Sequence, residues 1–207
     1  MKRPHHVRPW ITGVAGAAVL AGIGLGVGIL EAQSGSGFEP IIHAVGLAKH
    51  LTFTATYRNP AALLTSVTYE QDSSRSLEVV IGRDGVHGVS TLVVGSRVYQ
   101  CPVPRSRSVC LTSKASSMDQ MPVAPAFLLF LFRELDRKGS SVDTFQAHVS
   151  GRKGLCARFK SASPGLSGLI CVGKSGELLS YRDNDGTDLL LSTLRNVVQP
   201  GSFFIPS

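Results

Sequence analysis

Two different spacings of apolar and polar side chains follow one another along residues 38 to 207. From Phe38 to His50 the apolar positions recur at the helical period, and Pro40 suits an early position in a helix. From Leu51 to Tyr57 apolar and polar residues alternate, which is typical of a strand with one buried face. The pattern therefore predicts a helix that leads directly into a strand.

Most of the remaining domain has the alternating pattern. Turn sequences such as Arg83-Asp84-Gly85 and Gly173-Lys174-Ser175-Gly176 separate consecutive runs. The hairpins predict about nine or ten antiparallel strands. Beyond the first strand, the runs are Ser66 to Gln71, Arg75 to Gly82, Val86 to Val94, Arg97 to Cys101, Ser108 to Thr112, Ser141 to Ser150, Leu155 to Lys160, Leu169 to Gly173, Glu177 to Arg182 and Thr187 to Val197.

A second helix interrupts the strands at Pro122 to Lys138, and Gly139 fits its stop position. Its first half, including Phe127 to Phe132, is apolar on all sides. About ten apolar residues are too few to cross a bilayer, and a helix of this kind is normally buried in protein. Antiparallel strands with two helices on one side predict an α+β fold.

One long apolar run stands apart from these patterns. Ile11 to Leu30 contains no charged residue over twenty positions, follows three basic residues and ends at Glu31. That length suits one transmembrane helix with its basic side in the cytoplasm. The length favours a retained anchor over a signal peptide. The six glycines of the run and the sequence Leu30-Glu31-Ala32 nevertheless leave a cleaved signal open.

This run sets the expected organisation of the chain. Residues 1–10 form a basic cytoplasmic tail, 11–30 a transmembrane anchor or signal segment, 31–37 a flexible Gly/Ser linker, and 38–207 an extracytoplasmic domain. We expect a single-pass protein of the cell membrane, with its domain on the extracytoplasmic side, or a secreted domain if the segment is cleaved.

Composition indicates a globular chain, with 43% hydrophobic and 17% charged residues. The formal net charge is +7, and three of the positive charges precede residue 11. The remaining excess permits attraction to an anionic membrane face and does not require it. No basic patch with interleaved aromatic residues occurs, so we expect no nucleic-acid partner.

Four cysteines lie in the exported part, which favours disulfides. They allow three pairings, and the most economical one joins Cys101 to Cys110 and Cys156 to Cys171, because each pair flanks a turn. A zinc site would lack any CxxC pair, and the histidines lie far away in the sequence. We therefore expect disulfides and no metal.

Catalysis finds little support in the sequence. Gly165-Leu166-Ser167-Gly168-Leu169 lacks the final glycine of a nucleophile elbow, and no HExxH motif occurs. The acidic residues around Gly186 have the wrong spacing for a calcium loop and fit a hairpin turn. We expect no catalytic residue and no cofactor.

Four short segments, in their order along the chain, carry a resemblance to a known group of proteins. In this order they resemble the LolA-type lipid carriers and their mycobacterial LppX and LprG relatives, and more closely a group of uncharacterised exported actinobacterial proteins. The segments are Val67-Thr68-Tyr69-Glu70-Gln71; Val98-Tyr99-Gln100-Cys101 with Val109-Cys110-Leu111; Cys156 with Ile170-Cys171-Val172 and Gly176-Glu177-Leu178-Leu179-Ser180-Tyr181; and Phe203-Phe204-Ile205-Pro206.

The resemblance implies an incomplete antiparallel β-barrel wrapped around two helices, with an apolar space that binds acyl chains. Its ligand-binding residues, as cavity lining or as a lid, would come from the second helix. The lipid-anchored relatives use a cysteine that this chain lacks, so here the apolar run would be the anchor. The residues implicated are Phe127, Leu128, Phe130, Leu131 and Phe132.

Two hypotheses of different classes follow. In the first, the domain binds a lipid or another hydrophobic ligand without catalysis, beside the cytoplasmic membrane. In the second, the same phenylalanines and leucines fill the barrel, and the domain is an envelope sensor or a protein-interaction module with an envelope protein as its partner. Packed core is the commoner fate of such clusters.

Overall fold

A computed structural model describes residues 35–60, 66–72, 74–104, 110–114, 123–161, 167–184 and 186–204. The predicted cytoplasmic tail and the apolar run, residues 1–30, lie outside the described residues. Within the described ranges, none of the helices has both the length and the apolar character needed to span a membrane.

The described residues form two helices and twelve strands. The helices are α1 (Glu39–Ala48) and α2 (Pro125–Arg137). The strands are β1 (Gly35–Ser36), β2 (Phe53–Arg58), β3 (Ser66–Asp72), β4 (Arg75–Ile81), β5 (Gly88–Val94), β6 (Arg97–Val103), β7 (Leu111–Lys114), β8 (Ser141–Val149), β9 (Arg152–Lys160), β10 (Ser167–Val172), β11 (Leu178–Asp183) and β12 (Asp188–Arg195).

All twelve strands belong to one open antiparallel sheet, in the order β1-β8-β9-β10-β11-β12-β2-β3-β4-β5-β6-β7. The predicted α+β fold with an antiparallel sheet is confirmed. The predicted number of strands was too low, because every named run forms a strand and β1 adds another. This two-residue strand pairs with β8 inside the predicted Gly/Ser linker, where no side-chain pattern marks it.

Strand β5 begins at Gly88 and not at Val86, and the reason is local. The Asp84 carboxylate accepts hydrogen bonds from the backbone N–H groups of Val86 and His87, at 3.0 and 2.9 Å. An aspartate that bonds the backbone two and three residues later closes a turn in place of a strand ladder. The turn therefore extends to His87, and the β4–β5 pairing begins with Gly88 opposite Ile81.

Both predicted disulfides are confirmed, Cys101 with Cys110 and Cys156 with Cys171. Cys156 and Cys171 lie directly opposite each other in the β9–β10 pair, and both are buried. Closing loops of 9 and 15 residues stabilises the domain by roughly 2–3 kcal/mol each in the chain-entropy estimate.

Aromatic rings join the two helices to the sheet. The Phe132 ring of α2 lies 6.1 Å from the Phe38 ring, just before α1, and 6.3 Å edge-on from the Phe159 ring of β9. All three side chains are at most 2% exposed. Such ring pairs contribute about 0.5–1.5 kcal/mol beyond the area that they bury. The helices therefore share one core with the β8–β12 part of the sheet.

The end of α1 is held by one side-chain amide. Gln71 Nε2 lies 2.9, 3.1 and 2.9 Å from the carbonyl oxygens of Ala48, Lys49 and Leu51. The Tyr69 hydroxyl donates to Gln71 Oε1 at 2.8 Å and fixes the orientation of the amide. The last carbonyls of a helix have no partner within the helix, so this buried amide satisfies groups that would otherwise destabilise the fold.

The turn between β10 and β11 lies against α1 without room for a side chain. Gly176 has φ +84°, and a Cβ there would lie 2.1 Å from the Ala44 carbonyl oxygen. Gly151, in the β8–β9 turn, has a similar φ of +76° and open space around it. Both glycines have a left-handed backbone, but only Gly176 also allows α1 to approach closely.

We expect Gly176→Ala to lower the free energy of unfolding by about 1–3 kcal/mol more than Gly151→Ala, because only the first forces α1 away from the turn. Urea unfolding of the two variants measures the difference. Equal losses would show that α1 does not seat on the β10–β11 turn.

Candidate functional site

On the face of the sheet that carries the helices, some apolar side chains are not buried. The pairing of β3 with β4, and of β4 with β5, puts Val80, Val89 and Val93 on one face of the sheet. Val67 and Tyr69 of β3 lie on the same face, and their side chains belong to the core with the helices. Val80 and Val93 are half-buried, and Val89 is 49% exposed. Leu111, on the same face of β7, is 70% exposed. Apolar side chains on this wing of the sheet, β4–β7, therefore meet solvent.

Helix α2 borders this wing. Ala126 and the preceding Ala124 line a pocket of about 300 Å³ together with Tyr69, Ser76 and Val93. Phe130 lies one helical turn after Ala126 and so points to the same side of α2. Its side chain is 36% exposed. We name the space between α2 and the helix-side face of β4–β7 the trough.

Helix α2 divides the five residues that the sequence analysis nominated as ligand-binding. Leu128 and Phe132 are 1% and 0% exposed and belong to the core. Phe127 and Leu131 are half-buried at its margin, and Phe130 lies on the trough side. The sequence grouped them because they are consecutive, whereas the helix turns them toward different surroundings. Phe130 is the residue of the five with the most exposed apolar surface for a ligand.

Polar groups lie on the same face, beneath the helices. Glu78 of β4 is opposite Tyr69 of β3 and is 7% exposed. Its Oε2 atom and the hydroxyl oxygen of the buried Tyr57 have no hydrogen-bond partner. Leaving a buried polar atom without a partner costs about 1–3 kcal/mol. Such groups are suited to orient the polar part of a ligand.

Burial changes the protonation of these groups. Desolvation raises the pKa of Glu78 to about 7, well above the usual carboxyl value of 4.5. Desolvation, together with the nearby Tyr69, Glu177 and Glu78, raises the pKa of Tyr57. At neutral pH a large fraction of Glu78 is thus a neutral carboxylic acid, which can donate a hydrogen bond as well as accept one. Sequence reasoning missed Glu78, although it is the single acidic residue within the run Arg75–Ile81.

Two other pockets are present, and Val80 and Val89 of the wing line the second of them. One of about 530 Å³, at the ends of β8–β11, is lined partly by the charged residues Arg158, Lys160 and Asp183. Another of about 690 Å³ is an open depression around the turn between β4 and β5. In the ranges that the structure describes, no group of three or more His, Cys, Asp or Glu side chains is placed to hold a metal ion. The 300 Å³ pocket in the trough is also lined partly by charged residues, Lys49, Asp72 and Arg75. We interpret the trough because buried polar atoms without a hydrogen-bond partner lie on its sheet face.

Comparison with known proteins leaves this site to be interpreted from its own geometry. No family model matches the chain, and no curated protein matches it either. The likeness to lipid carriers thus stays a prediction from the order of short motifs.

The buried carboxyl of Glu78 predicts a pH-dependent stability. Because its pKa is about 7 in the folded chain and near 4.5 in the unfolded one, its contribution is fully present below the unfolded value. It is lost as the pH rises through about 7, by up to roughly 3 kcal/mol. We expect the free energy of unfolding to fall less between about pH 5 and pH 8 in Glu78→Gln, which cannot ionise, than in the parent.

Urea unfolding at both pH values measures this difference, with Asp143→Asn on the exposed part of β8 as the matched control. If Glu78→Gln loses as much stability as the parent over this interval, the carboxyl is not the buried acid that titrates.

Proposed function

We propose that this chain is a membrane-tethered extracytoplasmic domain that binds a lipid or another hydrophobic ligand in the trough, without chemical turnover. The observation that carries the proposal is the exposed apolar surface on α2 and on the wing beside it. Phe130 is 36% exposed on α2, and Val89 and Leu111 are 49% and 70% exposed on the wing. A single exposed apolar residue is ordinary, but several of them on neighbouring elements mark a candidate binding surface.

The proposed architecture is an incomplete barrel, as in the lipid carriers that the sequence resembles. A twelve-stranded antiparallel sheet whose described end strands, β1 and β7, do not pair with each other supports this reading, because strongly twisted sheets of more than about ten strands tend to curl. The two helices would then occupy its interior. Helix α1 packs on β9 and β10, so the β4–β7 wing is the part that a ligand would cover.

The buried polar groups support an amphiphilic ligand over a purely hydrocarbon one. An acyl chain would lie against Phe130 and the valines of the wing, each buried CH₂ contributing about 0.8 kcal/mol. A hydroxyl or carbonyl group of the ligand would satisfy Glu78 Oε2 or the Tyr57 hydroxyl, which lack partners. Titration of Glu78 would then change how well the polar part is held.

The tether belongs to the same proposal. Residues 11–30 would hold the domain beside the outer face of the cytoplasmic membrane, where it could pass lipid on only within reach of its linker. If this segment is removed as a signal, the same fold would be a free carrier. The N-terminal sequence of the mature protein distinguishes the two.

A second function is favoured by the packing of α2. Leu128, Leu129 and Phe132 fill the core, with 1%, 9% and 0% of each exposed. A domain filled by its own side chains would be an envelope sensor or a protein-interaction module. In that case the exposed side of the trough would bind a protein partner.

A photoreactive fatty acid tests lipid binding in the full chain reconstituted into vesicles. We expect diazirine adducts on the peptides that carry Phe130 and Val89. Phe130→Asn should lower that labelling by about fivefold, the effect of losing roughly 1 kcal/mol of apolar contact. Peptide mass spectrometry after photolysis locates the adducts.

The matched control is Val86→Asn, because Val86 is 58% exposed in the β4–β5 turn, outside the trough. Circular dichroism establishes that both variants fold. Adducts confined to residues 11–30, in the parent and in both variants, would contradict lipid binding by the domain and favour the interaction module.

A further inference from the structure

Exposed acidic side chains are concentrated toward one end of the strands, whereas exposed basic side chains occur at both ends. The register aligns Asp72, Arg75, Val94, Arg97 and Lys114 in one row across β3–β7. Three of these five residues are basic and exposed. The row marks one end of the strands.

Other elements bring more basic residues to the same end. Lys49 follows α1, where its carbonyl oxygen is bound by Gln71 of β3. Arg195 is opposite Thr54, near the start of β2. Lys174 lies in the turn that joins β10 to β11, and β9 begins with Arg152 and Lys153. We name this surface the cationic end; its exposed members are Lys49, Arg75, Arg97, Lys114, Arg152, Lys153, Lys174 and Arg195.

Acidic side chains hardly offset this charge. Among the described acidic residues, three lie near the cationic end. Asp72 forms an ion pair with Arg75, and Glu70 and Glu177 are buried with 6% and 8% exposed. The other acidic residues that reach the described surface lie toward the opposite end of the strands and helices, interspersed with basic ones. They are Glu39, Asp84, Glu134, Asp136, Asp143, Asp183 and Asp188.

Exposed apolar side chains accompany the cationic end. Leu47, in the last turn of α1, is 49% exposed, and Leu51, just after it, is 38% exposed. Val197, two residues after β12, is 60% exposed. Basic residues around a few exposed apolar ones form the combination that adsorbs to anionic lipid, because headgroups attract the charges and the interface accepts the apolar groups.

Strand β1, followed from Ser36 back to Gly35, runs toward the cationic end. Strand β1 runs antiparallel to β8, with Gly35 opposite Thr144 and Ser36 opposite Asp143. Toward Gly35, therefore, β1 runs along β8 in the direction of Val149, which lies at the cationic end beside Arg152. Four residues separate Leu30 from Gly35, and the five steps between the two Cα atoms span at most roughly 18 Å.

We propose that the cationic end docks on the anionic lipid surface of the membrane that holds the apolar run. The inference rests on the proposed tether and is independent of ligand binding in the trough. Docking turns the acidic and mixed end away from the lipid. It also holds the trough at a fixed height above the headgroups, with the α2 N-terminus and the 300 Å³ pocket on the membrane side.

The described lysines provide a direct test, because four belong to the cationic end and two to the opposite end. The full chain is reconstituted into phosphatidylcholine vesicles with and without phosphatidylglycerol, and acetylation by an amine-reactive reagent is quantified by mass spectrometry. We expect phosphatidylglycerol to slow acetylation of Lys49, Lys114, Lys153 and Lys174 by about threefold or more, with Lys138 and Lys160 unchanged. Salt at about 0.5 M should remove the protection, because it screens the attraction.

Matched variants separate local charge from net charge. Arg97→Gln with Lys174→Gln should abolish the protection of Lys49 and Lys153, whereas Arg58→Gln with Arg83→Gln, at the opposite end, should leave it intact. Equal acetylation of all six lysines in both kinds of vesicle overturns the docking surface. Equal protection by soluble polyglutamate, at the same charge concentration, overturns its assignment to a bilayer and favours an anionic polymer.

Flotation of the vesicles after an alkaline wash reports the tether separately. A chain that floats but shows no lysine protection refutes docking and leaves the tether standing. A chain that does not float refutes the tether.

Discussion

The pairing of β12 with β2 holds the two halves of the sheet together. In the observed strand order it is the link between the β8–β12 half, which carries the disulfide of Cys156 and the core beneath α1, and the β2–β7 half, which carries the trough. It joins residues more than a hundred positions apart, Arg195 opposite Thr54. The ladder is irregular between Leu191 and Thr193, where the Ser192 hydroxyl donates to the Thr56 carbonyl at 2.8 Å. Because this contact closes most of the chain into one loop, it is costly in entropy and forms late or slowly.

The registers between neighbouring strands relate the trough, the core and the cationic end to one another. The β3–β4 register places Glu78 opposite Tyr69, and with the β4–β5 register it aligns Asp72, Arg75 and Val94 in the row at the cationic end. A shift of one residue between β12 and β2 would turn the side chains of one half to the other face. Buried Tyr57, on β2, would then leave the core together with the unpartnered hydroxyl that it contributes. The proposed site and docking surface thus depend on the strand registers of both halves.

Much of this fold could be predicted from the sequence, because alternation and turn residues are local signals. The strands, both helices and both disulfides follow from spacing, although Asp84 moved one strand boundary and Gly35–Ser36 formed a strand without a pattern. The site could be predicted only in part. Phe130 and Phe132 look alike in sequence, and the direction in which α2 turns them depends on the sheet that it packs against. The sequence did not reveal Glu78 either, because the side chains beside it on the helix-side face of the sheet come from other strands.

Among the described residues, β7 forms one edge of the sheet, and this edge has a consequence for copies held side by side by the proposed tether. On the proposed tether, copies would diffuse in two dimensions at a high local concentration, so any sheet edge would meet the edges of its neighbours often. Strand β7 is four residues long, fully exposed and ends in Lys114. Short edges and lysine side chains oppose edge-to-edge pairing, because an incoming strand gains few hydrogen bonds and meets charge repulsion. The far edge of the sheet ends in the two-residue β1 beside β8. Both edges of the described twelve-stranded sheet thus have features that oppose polymerisation with neighbouring copies.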